Sequence, residues 1–449
     1  MDGARAERPA RRDLSAEGES IPVSGATPVR ARFTESGPLR GVVRVPGDKS
    51  IAHRALICAA LASGTSRVRG LPRGDDVART RAALGALGAY FEGETVVGGR
   101  ERLREPDRVI DLGNSATALR LLAGVCATLP FGCVLDGDAS VRRRPMERVV
   151  APLRAMGAAI EASEGGLAPL TVHGGPLTGI DYTPPVSSSQ VKGTILFAGL
   201  DADGETVVRE PLPTRRHSEE LFARCGAAMD IEEEASGYAV RLRRSTLVPF
   251  EIDIPGDPSQ AAFVAVAASL VAGSEVRIEH VYCGPGRLGF VDVLHRMGAS
   301  VEIVRRDATT GDLLVRHAPL DATTISGAEI PSLIDELPVL AVAAAFADGV
   351  TTITDAAELR VKESDRIATM AAELSALGAE VRELPDGLVI KGGGFAPHGT
   401  VSSHGDHRVA MALAVAGLGP SGAVEVEDFA ASAVTWPGFA DDLRGLACR

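Results

Sequence analysis

Five of the eight residues in Leu359-Arg-Val-Lys-Glu-Ser-Asp-Arg366 carry charge, with both signs mixed, and they run into an Ile367-to-Leu374 stretch that reads as a helix. Lys362 and Arg366 are four apart, so on a helix they would share one face. Glu363, beside Lys362, would be held ionised or ready to trade a proton. A solvated helix start laced with ion pairs has the same composition, so the question is whether other stretches send matching groups. In Gly47-Asp-Lys-Ser-Ile-Ala-His-Arg54, Lys49 precedes a helix that Ser50 can cap, and Arg54 lies one turn on, where it and Ser50 can reach one phosphate. Asn114, Ala116 and Thr117 sit in a run of small residues that lets backbone N–H groups approach an anion. Arg142-Arg143-Arg144-Pro145 is a stiffened cationic run, and Ser187-Ser188-Ser189-Gln190 offers hydroxyls and an amide. Arg215 stands ahead of another helix, and Arg408 follows Asp406-His407 as a candidate anion clamp. Asp335 lies among apolar residues, where a carboxylate suits a general base or a buried ion pair. His404 and His407 allow a metal pair, but no third ligand is nearby, so no metal is expected. Each stretch taken alone also reads as a cap, a loop or an ion pair.

Taken together, Lys49, Arg54, Arg144, Arg215, Lys362, Arg366 and Arg408 with Asp335 and Glu363 describe a cationic pocket holding two carboxylates. Such a pocket wants two anionic reactants and has acid–base groups to spare. No Walker motif, zinc signature or nucleophile elbow competes with it, and no cofactor is called for.

The elements that must position these groups come from an internal repeat. A helix-ending signature recurs at Leu84-Gly-Ala-Leu-Gly88-Ala89, Leu153-Arg-Ala-Met-Gly157-Ala158, Phe222-Ala-Arg-Cys-Gly226-Ala227, Leu294-His-Arg-Met-Gly298-Ala299 and Leu374-Ser-Ala-Leu-Gly378-Ala379. The glycines are 69, 69, 72 and 80 residues apart, and a worn sixth copy ends at Ala447, 69 further on. Each glycine can take the left-handed position that stops a helix, and a short alternating strand follows. Each unit also holds an Ala-rich helix, apolar nearly all round and hence buried, with a polar head. The heads are Lys49-Ser50, Asn114-Ser115, Ser189-Gln190, Asp257-Pro258, a start near Ser332, and His404-Gly-Asp406. A buried helix with a polar head presents free N–H groups and a positive dipole end. Several such helices bundled in parallel would share one pocket.

At 449 residues the chain is long enough for two or more domains. A net charge of -12 argues against a general nucleic-acid or membrane-surface binder. No apolar run reaches spanning length, so no membrane helix is expected. Cysteines 58, 126, 133, 225, 283 and 448 form no CxxC pair and read as reduced thiols of a cytoplasmic protein. Residues 1–32, rich in Arg, Ala, Glu, Ser and Pro without an apolar segment, read as a disordered tail.

Gly47-Asp-Lys-Ser-Ile-Ala-His-Arg54, Leu112-Gly-Asn-Ser-Ala-Thr117, Arg144-Pro-Met146, Ser188-Ser-Gln190, Leu359-to-Arg366 and Asp406-His-Arg408 resemble, in order, the motifs of the EPSP synthase (3-phosphoshikimate 1-carboxyvinyltransferase) family. The resemblance implies an α/β enolpyruvyl transferase fold of six βαβαββ units, three per domain around buried parallel helices. It implies a discontinuous domain of 33–47 plus 255–449 and a second domain of 48–254. The implied reaction moves the enolpyruvyl group of phosphoenolpyruvate to the 5-hydroxyl of shikimate 3-phosphate, in a monomer. Under it, Asp335 takes the hydroxyl proton, while Glu363 and Lys49 handle protons at phosphoenolpyruvate. Lys49, Ser50, Arg54, Ser188, Ser189, Arg215, Asp335 and Lys362 would hold shikimate 3-phosphate, with Gln190 shared. Lys49, Ala116, Arg144, Arg366 and Arg408 would line the phosphoenolpyruvate site, with Asn114 and Thr117 beside it.

Three positions depart from the common family pattern. Ala116 stands where many members have Gly and resembles the glyphosate-tolerant class, Val434 replaces a Lys, and Glu358 replaces an Asn. Transfer to UDP-N-acetylglucosamine is the rival reading, but that sister enzyme would carry a reactive Cys in the region of Arg142–Met146, which holds none. A catalytically silent binder of a phosphorylated metabolite is the other, against which the intact Lys49, Asp335, Glu363 and Arg408 speak.

Overall fold

A computed structural model describes residues 29–235 and 237–447. Most of the expected tail, residues 1–28, lies outside the described residues, as does Cys448. The folded chain starts earlier than expected, because Arg30–Thr34 is a strand whose Ala31 and Phe33 point inward while Arg30, Arg32 and Thr34 point out. It pairs antiparallel with Ala423–Glu427. The alternation that drives this begins inside the stretch whose composition reads as a tail.

The repeat appears as six small sheets among the described residues, five of four strands and one of three. Three of the four-stranded sheets share one plan. A parallel pair is joined by a core helix, and an outer helix then leads into an antiparallel hairpin, as in Ile110–Asp111, Gly132–Asp136, Ala159–Ser163 and Leu167–His173. The outer helices stop as their sequence dictates. Gly88, Gly157, Gly226, Gly298 and Gly378 all have positive φ, between 77° and 114°. The N–H of the alanine after each glycine closes back on the carbonyl five residues upstream, at 2.9–3.0 Å.

Two sheets are completed by strands from far away in the chain. Arg40–Val43 pairs with Glu275–Tyr282, and Glu251–Asp253 pairs with Gly64–Arg69. The chain therefore crosses twice at one place, where Asp48 N–H donates to the Pro255 carbonyl and Asp257 N–H to that of Pro46. Gly47 is required there, since a Cβ would stand 2.1 Å from the Gly70 carbonyl oxygen. On one side of the crossing, a core packs the helices Lys49–Leu61, Ala116–Cys126 and Ser189–Gly199. On the other, a second core packs Pro258–Leu270, Leu337–Phe346 and His407–Leu418. No helix among the described residues is long and apolar enough to cross a membrane.

Candidate active site

A chamber of about 50 Å³ opens into a wider cavity of about 660 Å³ between the two halves. Arg144, Ser189, Gln190, Arg215, Asp335 and Lys362 line both. The chamber receives the head of every core helix: Lys49 and Ser50, Ala116 and Thr117 with Asn114, Ser189 and Gln190, Asp257, Asp335, and Arg408. Six apolar helices thus begin around one small polar space, which brings their positive dipole ends together there.

The sequence explains how the heads are fixed, with some changes to the expectations. Asp48, not Ser50, caps the first helix by accepting from Ile51 N–H at 2.8 Å. Its carboxylate precedes the helix by one residue, which frees the Ser50 hydroxyl to accept from Arg54 at 2.8 Å. The fifth core helix starts at Leu337 rather than near Ser332, after a short helix at Ile330–Leu333. Pro338 fits a first turn but not an interior, so the chain breaks before it. Asp335 occupies that break and faces the chamber, whereas Glu336 turns away to Ser259. Lys362 and Arg366 do not share a helix. Asp365 caps the helix Arg366–Ala376 by accepting from Ala368 N–H at 3.1 Å, which leaves Lys362 to Ser364 in the preceding turn. Lys362 Nζ and Arg366 Nη1 nevertheless both come to 3.4 Å from Asp335 Oδ1.

Cations gather around the two carboxylates. Asp335 also meets Arg215 Nη2 at 2.5 Å and Arg408 Nη2 at 3.8 Å. Glu363 accepts from Arg366 Nη2 at 2.6 Å and from Arg144 Nη1 at 3.3 Å, the latter across the cleft. Burial pushes the Asp335 carboxyl up, but Lys362, Arg408, Arg215 and Arg366 together hold it well below its ordinary range. Burial likewise opposes ionisation of Glu363, and Arg366, Arg144, His407 and Lys49 together hold it low. Lys362 is shifted down by burial despite the neighbouring Asp335. Lys49 Nζ donates to Asp76 Oδ2 at 2.6 Å.

Two of the expected contact residues lie one layer behind the wall. Arg54 is 1% exposed and places its nitrogens on Ser50, the Ser189 carbonyl and Ser218. Its geometry orients Ser50 and Ser189 rather than facing the cavity. Arg366, equally buried, joins Asp335 and Glu363 to Asp406, whose Oδ2 accepts from its Nε at 2.8 Å. Ser188 caps the helix Ser189–Gly199 and lines the wider cavity. His404 pairs with Glu373 on the surface, and His407 is buried, with burial pushing its pKa down to about 4. Val434 does not line the chamber; its carbonyl packs against Gly74.

Residue-by-residue reading missed Asp76, Arg120 and Arg148. Arg120 is the one cation in the otherwise apolar helix Ala116–Cys126, which was a usable signal, since a buried guanidinium needs partners. It bonds the Gln190 side-chain oxygen and the Pro145 carbonyl, and Gln190 Nε2 in turn donates to Thr117 at 2.9 Å. Asp76 and Arg148 lie on outer helices and carried no signal of their own.

Comparison with known proteins places the chain in a family. A family model described as EPSP synthase (3-phosphoshikimate 1-carboxyvinyltransferase) matches residues 33–443. The chain is 48% identical over 426 residues to a 3-phosphoshikimate 1-carboxyvinyltransferase of Halorhodospira halophila, covering 92% of this chain and 95% of that one. It is 49% identical to that of Gloeobacter violaceus, over 92% and 97% of the two chains. The structure of EPSP synthase from Acinetobacter baumannii superposes with a TM-score of 0.81 at 38% identity, over 93% and 97% of the chains. An enolpyruvyl transferase from Streptomyces tendae shares the fold at a TM-score of 0.70 and 21% identity, over 92% and 96% of the chains. The chain belongs to the EPSP synthase family of 3-phosphoshikimate 1-carboxyvinyltransferases.

Proposed function

We propose that the chain transfers the enolpyruvyl group of phosphoenolpyruvate to the 5-hydroxyl of shikimate 3-phosphate and releases phosphate. The observation that carries this is the convergence of six helix heads from both halves on one chamber, where Asp335 and Glu363 stand among Lys49, Arg144, Arg215, Lys362 and Arg408. Two polyanions match that charge, and two carboxylates at separate points match a reaction that moves two protons. Asp335 takes the proton of the 5-hydroxyl as its oxygen bonds to C2 of phosphoenolpyruvate. Glu363 and Lys49 deliver a proton to the methylene carbon, giving a tetrahedral adduct. Loss of a methyl proton and of phosphate from C2 then restores the double bond. Ser50, Ser188, Ser189, Arg215 and Lys362 hold the acceptor, with Gln190 shared. Ala116, Arg144 and Arg408 line the phosphoenolpyruvate side, with Asn114 and Thr117 next to them. Arg54 and Arg366 act through Ser50, Ser189 and the two carboxylates. The low carboxyl pKa values suit this sequence, because anions that occupy the surrounding cations release both groups upward into a working range.

The double crossing and the two cores support domains of about 30–47 plus 255–447 and 48–254 among the described residues. Both halves of the site come from one chain, so a monomer suffices, which light scattering checks. Five buried free thiols suit a reducing, cytoplasmic setting. Ala116 lines the chamber with a methyl group that should crowd an inhibitor longer than phosphoenolpyruvate, so glyphosate should inhibit weakly; tight, sub-micromolar inhibition would contradict this. The described cysteines are all buried and none lines the cavity, which speaks against the UDP-N-acetylglucosamine reaction. Phosphate release assayed with each acceptor in turn separates the two: release with shikimate 3-phosphate alone is expected, and release with the nucleotide sugar alone would overturn the assignment.

A further inference from the structure

Away from the crossing, three ion pairs join the two halves among the described residues: Arg144–Glu363, Arg215–Asp335 and Arg148–Glu358. The first two use groups that face the chamber, so anionic reactants compete for them and cannot leave them as they stand. The third is different. Arg148 and Glu358 line the wider cavity but not the chamber. Their contact is two-pronged, with Nη1 to Oε2 and Nη2 to Oε1 both at 3.1 Å, the fork geometry that fixes orientation as well as distance. Each partner also sits beside a site segment. Arg148 lies in the first turn of the helix Glu147–Ala155, four residues after Arg144. Glu358 lies in the short 3-10 turn Ala357–Val361, four residues before Lys362.

We propose that Arg148–Glu358 is the latch of the closed site, a positioning pair that holds the two halves together at the rim of the chamber. The inference rests on the two-substrate reading above. A latch of this kind favours the closed arrangement in which both reactants are bound, and it must open for product to leave. Removing it weakens retention of both substrates together while leaving the reacting groups in place, a pattern that loss of a single substrate contact does not produce.

The test is a double-mutant cycle on the full-length enzyme: R148A, E358A, R148A/E358A and the swapped R148E/E358R, with kcat and KM for each substrate and a denaturant midpoint for each variant. Each single substitution is expected to raise both KM values about threefold to tenfold, with kcat equal to or above wild type. The double variant should be no worse than either single, and the swap should recover most of the loss. KM values unchanged from wild type, or single effects that multiply in the double variant, would overturn the latch. If wild type itself gives no turnover with shikimate 3-phosphate, the proposed reaction fails instead.

Discussion

At the scale of single residues, four cations stand within 2.5–3.8 Å of Asp335, which the proposed mechanism makes the base for the hydroxyl proton. Asp335→Asn keeps the shape and removes the base, so kcat should fall about 10²- to 10⁴-fold. Its circular dichroism spectrum should match wild type; a kcat within a factor of a few of wild type would remove Asp335 from the reaction. Asp335 and Glu363 are held low in the fold, so their contribution to stability is complete above the unfolded value near ~4 and is lost as pH falls through the folded values. Acid titration of wild type should therefore erode stability below about pH 4, and Asp335→Asn should show a shallower slope. In kinetics the sign reverses with occupancy. Anions on the surrounding cations raise both carboxyls, so the acid limb of kcat should lie at higher pH than that of kcat/KM.

Helices carry the second level, and their heads carry most of the site. Asp406 caps His407–Leu418 by accepting from Arg408 N–H at 2.9 Å and also binds buried Arg366. Asp406→Ala strips the cap and leaves a buried guanidinium short of a partner, so denaturant unfolding should show a loss of about 3–5 kcal/mol. Asp406→Asn should retain more of that stability, since its amide oxygen can still cap. The outer helices were legible because Gly88, Gly157, Gly226, Gly298 and Gly378 encode a local stop that needs no tertiary partner. The heads were legible in type but not always in detail. Spacing alone gives Ser50 a cap that Asp48 provides, and puts Lys362 on a helix that Asp365 starts three residues later. Both are contests between adjacent capping residues, settled by packing. Arg54 and Arg366 were recognisable as site cations, but their layer depends on how helices stack, and no spacing in the chain records that. Asp76 and Arg148 are brought in by tertiary structure alone.

Across the whole molecule, the site exists only where the two halves meet. Gly74 shows how close they come: it has φ −70°, which alanine accepts, yet a Cβ there would lie 2.2 Å from the Val434 carbonyl oxygen of the other half. Gly74→Ala should therefore act as a wedge, raising KM for both substrates while the midpoint of thermal unfolding stays near wild type. Unchanged kinetics would mean that this contact does not limit closure. The double crossing explains why a chain of six like units makes one cleft: Arg40–Val43 and Glu251–Asp253 each complete a sheet of their own half, and the chain passes from one half to the other only where Asp48 meets Pro255 and Asp257 meets Pro46. In the proposed reaction this cleft adds a hydroxyl to phosphoenolpyruvate and then eliminates phosphate. NMR of the enzyme with phosphoenolpyruvate and shikimate 3-phosphate in heavy water tests it in one sample. One phosphate should be released per enolpyruvyl ether formed at the 5-oxygen, with solvent deuterium entering the product's methylene group through the transient methyl. Absence of phosphate release that depends on shikimate 3-phosphate would contradict it.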